Sequence, residues 1–174
     1  ERIAFDEYGF SSLVMMENAA QGFCDKLEQE TGKVCGKKIN IFCGRGNNGG
    51  DGFAIARLLS VRGAQVTVLI GFDTDRLSGD ARVNYELAAR FGISISEFSE
   101  LAGVCDIAVD ALYGTGFHGE ITGAEAEMVR LMNGCGAFVA AVDMPSGASA
   151  EDGSVAKICV RADLTVTFGA AKLG

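Results

Sequence analysis

Apolar positions recur along this chain with two alternating periods, one helical and one strand-like. Ser11 or Ser12 can cap a helix in which Leu13, Met16, Ala20, Phe23 and Leu27 return at three- and four-residue steps, and Thr31-Gly32 ends it. Upstream, Glu1 to Gly9 reads as a short helix or the end of a longer one. From Ile39 the pattern repeats. Strand-like Ile39–Cys43 precedes helical Phe53–Arg62, strand-like Gln65–Ile70 and helical Ser78–Phe91, with Val83, Leu87 and Phe91 on one face. Ile93–Ile95 and Asp106–Leu112 read as strands, Gly123–Asn133 as a helix, and Ala137–Val142 and Leu164–Phe168 as strands. Strands alternating with helices predict an α/β fold: a Rossmann-like three-layer α/β/α sandwich on a mostly parallel, doubly wound sheet. No linker or repeat divides the chain, so residues 1–174 are expected to form one domain.

A glycine-dense segment, Gly44-Arg45-Gly46-Asn47-Asn48-Gly49-Gly50-Asp51-Gly52, separates the first strand of that repeat from its helix. Read as a loop, it offers positive φ, close backbone approach to a ligand and a helix N-terminus for an anion. It lacks the Lys-Ser or Lys-Thr of a P-loop, and its match to G-x-G-x-x-G at Gly44, Gly46 and Gly49 is weak alone. Doubly wound sheets bind ligands at the carboxyl ends of their strands, which gathers two further loops beside this one. Asp110 precedes Gly114-Thr115-Gly116-Phe117-His118-Gly119-Glu120, and Asp143-Met144-Pro145-Ser146-Gly147 follows the strand ending at Val142. Three loops of glycines and carboxylates at one sheet edge are more than turn chemistry requires. Glu17 and Asn18, by contrast, read by default as solvated residues flanking the apolar stripe of their helix.

The net charge of −8 and pI near 4.6 argue against a nucleic-acid or anionic-membrane surface. No apolar run approaches a membrane span. Six widely spaced cysteines without a C-x-x-C pair, mostly in apolar contexts, predict reduced, buried thiols and a cytoplasmic setting.

The three loops, with Glu17-Asn18-Ala19-Ala20 and the closing Ala162-Asp163-Leu164-Thr165-Val166-Thr167-Phe168-Gly169, resemble the NAD(P)HX epimerase family, the YjeF-type N-terminal domain. The resemblance runs over nearly the whole chain. It implies a homodimer that interconverts the R and S epimers of hydrated NADH and NADPH, with an ATP- or ADP-dependent dehydratase, fused or separate, restoring the cofactor. It also implies that the chain stops short of the family's usual C-terminus. Carried over, the substrate residues are Asn47, Asn48, Gly49, Gly50 and Asp51, then Gly114, Thr115, Gly116, Phe117, His118, Gly119 and Glu120, and Asp143. A potassium site falls on Asn48, Asp110 and Ser146, an all-oxygen set suited to a hard cation. On residue chemistry alone, an Asx/Ser hydrogen-bond network bracing the loops is the better explanation of those three, and only the resemblance reverses that preference.

Epimerisation requires proton transfer at an oxygen. Asp143, ending a buried-type strand, is the first choice for that role, with Asp51, at a helix N-terminus, the second. His118, the one histidine, stands where many members of the family carry Lys or Arg, and histidine changes charge near neutral pH. Two other classes compete: a non-catalytic dimerisation and nucleotide-binding scaffold of the same fold, and a dinucleotide oxidoreductase with Asp73 or Asp75 on the ribose.

Overall fold

A computed structural model describes residues 9–99, 104–170 and 172–173; apart from Gly9, the helix expected from Glu1 lies outside them. The chain runs α1 (Ser12–Thr31), β1 (Lys38–Cys43), α2 (Asn47–Val61), β2 (Gln65–Ile70), α3 (Gly79–Arg90) and β3 (Ser94–Glu97). It continues through β4 (Ile107–Ala111), α4 (Gly123–Gly134), β5 (Phe138–Val142) and β6 (Leu164–Val166). All six strands pair in parallel in the order β3-β2-β1-β4-β5-β6. That is the doubly wound order, reversing between β1 and β4.

Strand alternation divides the interior into two cores. Ile39, Ile41, Val109 and Val142 face Phe23 and Leu27 of α1 and Phe53, Ile55 and Leu59 of α2. Phe42, Ala108 and Val139 face Met128, Val129 and Met132 of α4 on the other side. The layers are therefore helix, sheet, helix, as expected.

Two local expectations are corrected. The segment Asn47–Gly52 is not a loop: it forms the opening turns of α2, and only Gly44–Gly46 connects strand to helix. None of its glycines takes a positive φ. They are there because neighbouring elements nearly touch the backbone at this point. A Cβ on Gly44 would lie 2.0 Å from the Leu112 carbonyl oxygen, and one on Gly52 would lie 2.6 Å from Cys43 Sγ and 2.7 Å from Ala111 Cβ. In α3 the buried residues are Ala81, Asn84 and Ala88, whereas Val83 and Phe91 are exposed. Small residues win that face because α2 comes so close that a Cβ on Gly50 would sit 3.1 Å from Ala81 Cα. Asn84 is buried among them because it accepts a hydrogen bond from Arg57 Nη2 at 3.0 Å.

Among the described residues no helix is long and apolar enough to cross a membrane. All six cysteines are free, but only Cys24 and Cys43 are buried; Cys105, Cys135 and Cys159 are half-buried and Cys35 is exposed. Burial pushes the Cys24 thiol up to about 12 and raises that of Cys43, which keeps both unreactive.

Candidate functional site

A cavity of about 1080 Å³ opens at the carboxyl ends of the strands, beside the switch point between β1 and β4. Its walls come from α1, the loop after β1 with the start of α2, the start of α3, the segment after β4, and the ends of β5 and β6. The close seating of α2 places its N-terminus there, since Gly44 N–H also donates to the Ala111 carbonyl at 2.9 Å and continues the β1/β4 pairing.

The structure brings Asn47, Asn48, Asp51, Gly114, Thr115, Gly116, Phe117 and Asp143 together around this cavity. Gly49 and Gly50 are buried packing positions behind the wall. His118, Gly119 and Glu120 are exposed and lie outside the lining, and Glu120 accepts a hydrogen bond from the Lys157 N–H at 3.2 Å. Asp110 and Ser146 are fully buried beneath the floor.

The sequence reading missed Met15 and Met16 of α1, Arg45, Tyr113 and Phe168, all of which line the cavity. Asn18 joins them, while Glu17 turns away to pair with Arg57 at 2.6 Å. Tyr113 and Phe117 stand with ring centroids 5.3 Å apart, an apolar wall suited to a flat ring. Their aromatic character beside a glycine loop was the available signal.

Asp143 is the most constrained of these residues. Its φ is 66°, the sole positive value on a non-glycine among the described residues. Oδ1 accepts from Thr167 Oγ1 and the Phe168 N–H, both at 3.3 Å, and meets Lys172 Nζ at 3.2 Å. Oδ2 has no partner among the described residues and points across Gly114. A Cβ on Gly114 would lie 3.1 Å from that oxygen and 3.2 Å from Asn48 Oδ1. Glycine at 114 therefore keeps two polar groups facing the same space. Asn48 is buried, yet neither its Oδ1 nor its Nδ2 has a hydrogen-bond partner. An unsatisfied buried amide of this kind costs about 1–3 kcal/mol and points to a ligand or ion.

Below, Asp110 Oδ1 accepts from Ser146 Oγ at 2.6 Å and from the Leu112 N–H at 3.2 Å, and Oδ2 accepts from the Ser146 N–H at 2.7 Å. The Tyr113 N–H donates to Ser146 Oγ at 2.9 Å. The bracing network thus exists, and it ties the β4 and β5 loops together. Burial raises the Asp110 carboxyl from 3.8 to about 6, against the lowering effect of its hydrogen bonds. The folded state then holds more protons than the unfolded chain between about pH 4 and 6. This contribution to stability is complete below about pH 4 and lost as pH rises through about 6, by about 3 kcal/mol in all. Urea denaturation of wild type and Asp110→Asn across pH 3.5–7.5 is expected to show that slope in the difference between them. The variant also loses the bond from the Ser146 N–H at every pH.

The oxidoreductase alternative finds no support in the geometry. Asp73 caps the turn Thr74–Arg76 by accepting from the Asp75 N–H at 3.0 Å, and neither aspartate lines the cavity.

A crystal structure of the yeast protein ynu0 superposes with a TM-score of 0.85 at 20% identity, covering 98% of this chain and 76% of that one, a likeness of fold. The bifunctional NAD(P)H-hydrate repair enzyme of Moorella thermoacetica is 38% identical over the whole chain, which spans only 35% of that enzyme's length. NAD(P)H-hydrate epimerases of Rhodopirellula baltica and Oenococcus oeni are 36% and 37% identical, with 72% and 83% of their lengths covered. A family model described as YjeF-related protein N-terminus matches residues 12–174. The chain belongs to the YjeF-related N-terminal family.

Proposed function

We propose that this protein epimerises the R and S forms of hydrated NADH and NADPH. The observation that carries the reading is the pair of polar groups facing one space across Gly114: the open Oδ2 of Asp143 and the unsatisfied amide of Asn48. The cavity around them is at the upper end of the usual range for small-molecule sites, ample for a dinucleotide lying partly in solvent. Relatives that share most of their length with this chain are NAD(P)H-hydrate epimerases, which supports the same assignment.

In the substrate, C6 of the reduced ring carries a hydroxyl beside the ring nitrogen. The nitrogen lone pair assists departure of that hydroxyl, and water returning from the opposite face inverts the centre. Asp143 Oδ2 takes the proton from the incoming water on its own face of the ring, and the hydroxyl departing from the other face is protonated by solvent at the cavity mouth. Lys172, Thr167 and the Phe168 N–H fix the other oxygen, so the reacting one is held in place. Asp51, lining the same cavity from the first turns of α2, is the second candidate for this work. Tyr113 and Phe117 offer the ring a flat apolar wall.

Asn48, Asp110 and Ser146 suit a potassium ion. The amide oxygen of Asn48 is unsatisfied, Asp110 is a buried carboxylate, and Ser146 Oγ keeps a lone pair beyond its bonds to Asp110 and Tyr113. Such an ion would supply fixed positive charge at the floor and keep Asp110 ionised. At pH 7.5 the melting temperature is expected to rise by at least about 2 °C on replacing choline with saturating potassium. Asn48→Leu should abolish the increment, and equal melting in potassium, sodium and choline would remove the ion from this account.

The further setting we propose is a homodimer in the cytoplasm, working with an ATP- or ADP-dependent dehydratase specific for the S epimer, fused or separate. The test of function is to supply R-NADHX with such a dehydratase and follow recovery of NADH absorbance. Acceleration over spontaneous epimerisation is expected. Its absence would favour the scaffold, a reading that the retained polar residues of the cavity count against.

A further inference from the structure

We infer that the Arg45 guanidinium is the phosphate-engaging group of this cavity. The inference rests on the proposed dinucleotide substrate. Every such molecule is a polyanion, and the wall that must accept it carries the carboxylates Asp51, Asp80 and Asp143 on a chain of net charge −8. Two cationic side chains line the cavity, Arg45 and Lys26. Lys26 is committed to Glu30 at 2.7 Å, one turn along α1. Arg45 is exposed and has no carboxylate partner among the described residues.

Its position is also built. Gly44 is pressed beneath the Leu112 carbonyl, where a Cβ would stand at 2.0 Å, which fixes the backbone on one side of Arg45. On the other side, Gly46 begins α2 as its N-cap and supplies no side-chain cap, so the first N–H groups of the helix beside Arg45 have no side-chain partner. Tyr113 stands near enough to feel the charge: burial and then Glu125 push its phenol up, and the arginine works against them. A planar fork beside uncapped backbone donors and the cavity mouth matches a phosphate better than a point charge does. The glycines that first suggest a phosphate cradle are packing positions; the arginine between two of them is the group that meets the anion.

Two phosphates could be the target, the pyrophosphate common to both substrates or the 2′-phosphate of the NADPH form. The test measures kcat/KM for NADHX and NADPHX with wild type, Arg45→Ala and Arg45→Lys, with Lys26→Ala as a control. Removing Arg45 is expected to lower kcat/KM about tenfold or more, mostly through KM, with partial recovery in Arg45→Lys. An equal loss on both substrates identifies the pyrophosphate; a loss confined to NADPHX identifies the 2′-phosphate. Arg45→Ala within twofold of wild type on both, or an equal effect from Lys26→Ala, would overturn the assignment. Calorimetric titration of the same proteins with ADP-ribose and 2′-phospho-ADP-ribose separates this from the reading of function. Wild type that binds either probe at least fivefold more tightly than Arg45→Ala upholds the assignment even without epimerisation. A wild type that binds neither at millimolar concentration, or no better than the variant, overturns it.

Discussion

Asp143→Asn is expected to yield a folded protein that retains its ligand and loses about a hundredfold or more in epimerisation rate. The fold should survive because asparagine is among the residues that best tolerate a left-handed backbone, and φ at this position is 66°. An asparagine oxygen in the place of Oδ1 still accepts from Thr167 and Phe168, and Lys172 keeps its bond to the Phe168 carbonyl at 2.8 Å. What disappears is the open oxygen on the cavity side, replaced by an amide NH₂ that cannot take up and return a proton. Loss in kcat with KM and melting temperature near wild type is the expected pattern. Full rate with intact affinity would pass the proton-transfer role to Asp51, where Asp51→Asn would be the next variant.

The strained backbone at Asp143 was not legible in the sequence, because nothing local demands it. It arises where β5 ends against β6: the Asp143 N–H bonds to the Val166 carbonyl at 2.9 Å while the side chain is drawn toward residues 167, 168 and 172. The strands themselves were legible, since a parallel sheet buried on both faces leaves long β-branched and apolar runs such as Gln65–Ile70. The start of α2 was not. Gly49, Gly50 and Gly52 lower helix propensity, so the segment reads as loop, whereas the contacts that require glycine come from Gly44, Ala81 and Ala111, remote in sequence or on another element. The same limit hid the cavity wall. Met15 and Arg45 carry no local mark of a role until the sheet order sets α1 and the loop after β1 around one opening. The carboxylates were easier to find, because strand-end position alone marked Asp110 and Asp143.

Gly49→Ala is the substitution expected to damage the fold most for its size. In the interior of an ordinary helix the change stabilises by about 1 kcal/mol, through helix propensity and reduced freedom of the unfolded chain. Here the added Cβ would stand 1.7 Å from the Gly44 carbonyl oxygen and 2.6 Å from its carbonyl carbon. Both are backbone atoms, so no rotamer change relieves the overlap. Nor can Gly44 retreat, since its N–H is bonded to the Ala111 carbonyl and its own Cα faces Leu112. The first turns of α2 must lift from the sheet, carrying Asn47, Asn48 and Asp51 with them. A cost of about 3 kcal/mol or more follows, a large share of a typical domain's stability of about 5–15 kcal/mol. Gly46→Ala, with nothing within 4 Å of the new Cβ and φ at −91°, should cost no more than about 1 kcal/mol, the N-cap preference for glycine over alanine. Urea midpoints of the two variants decide the matter: similar values would mean that the helix is not seated directly on the strand, and that glycine at 49 serves the ligand.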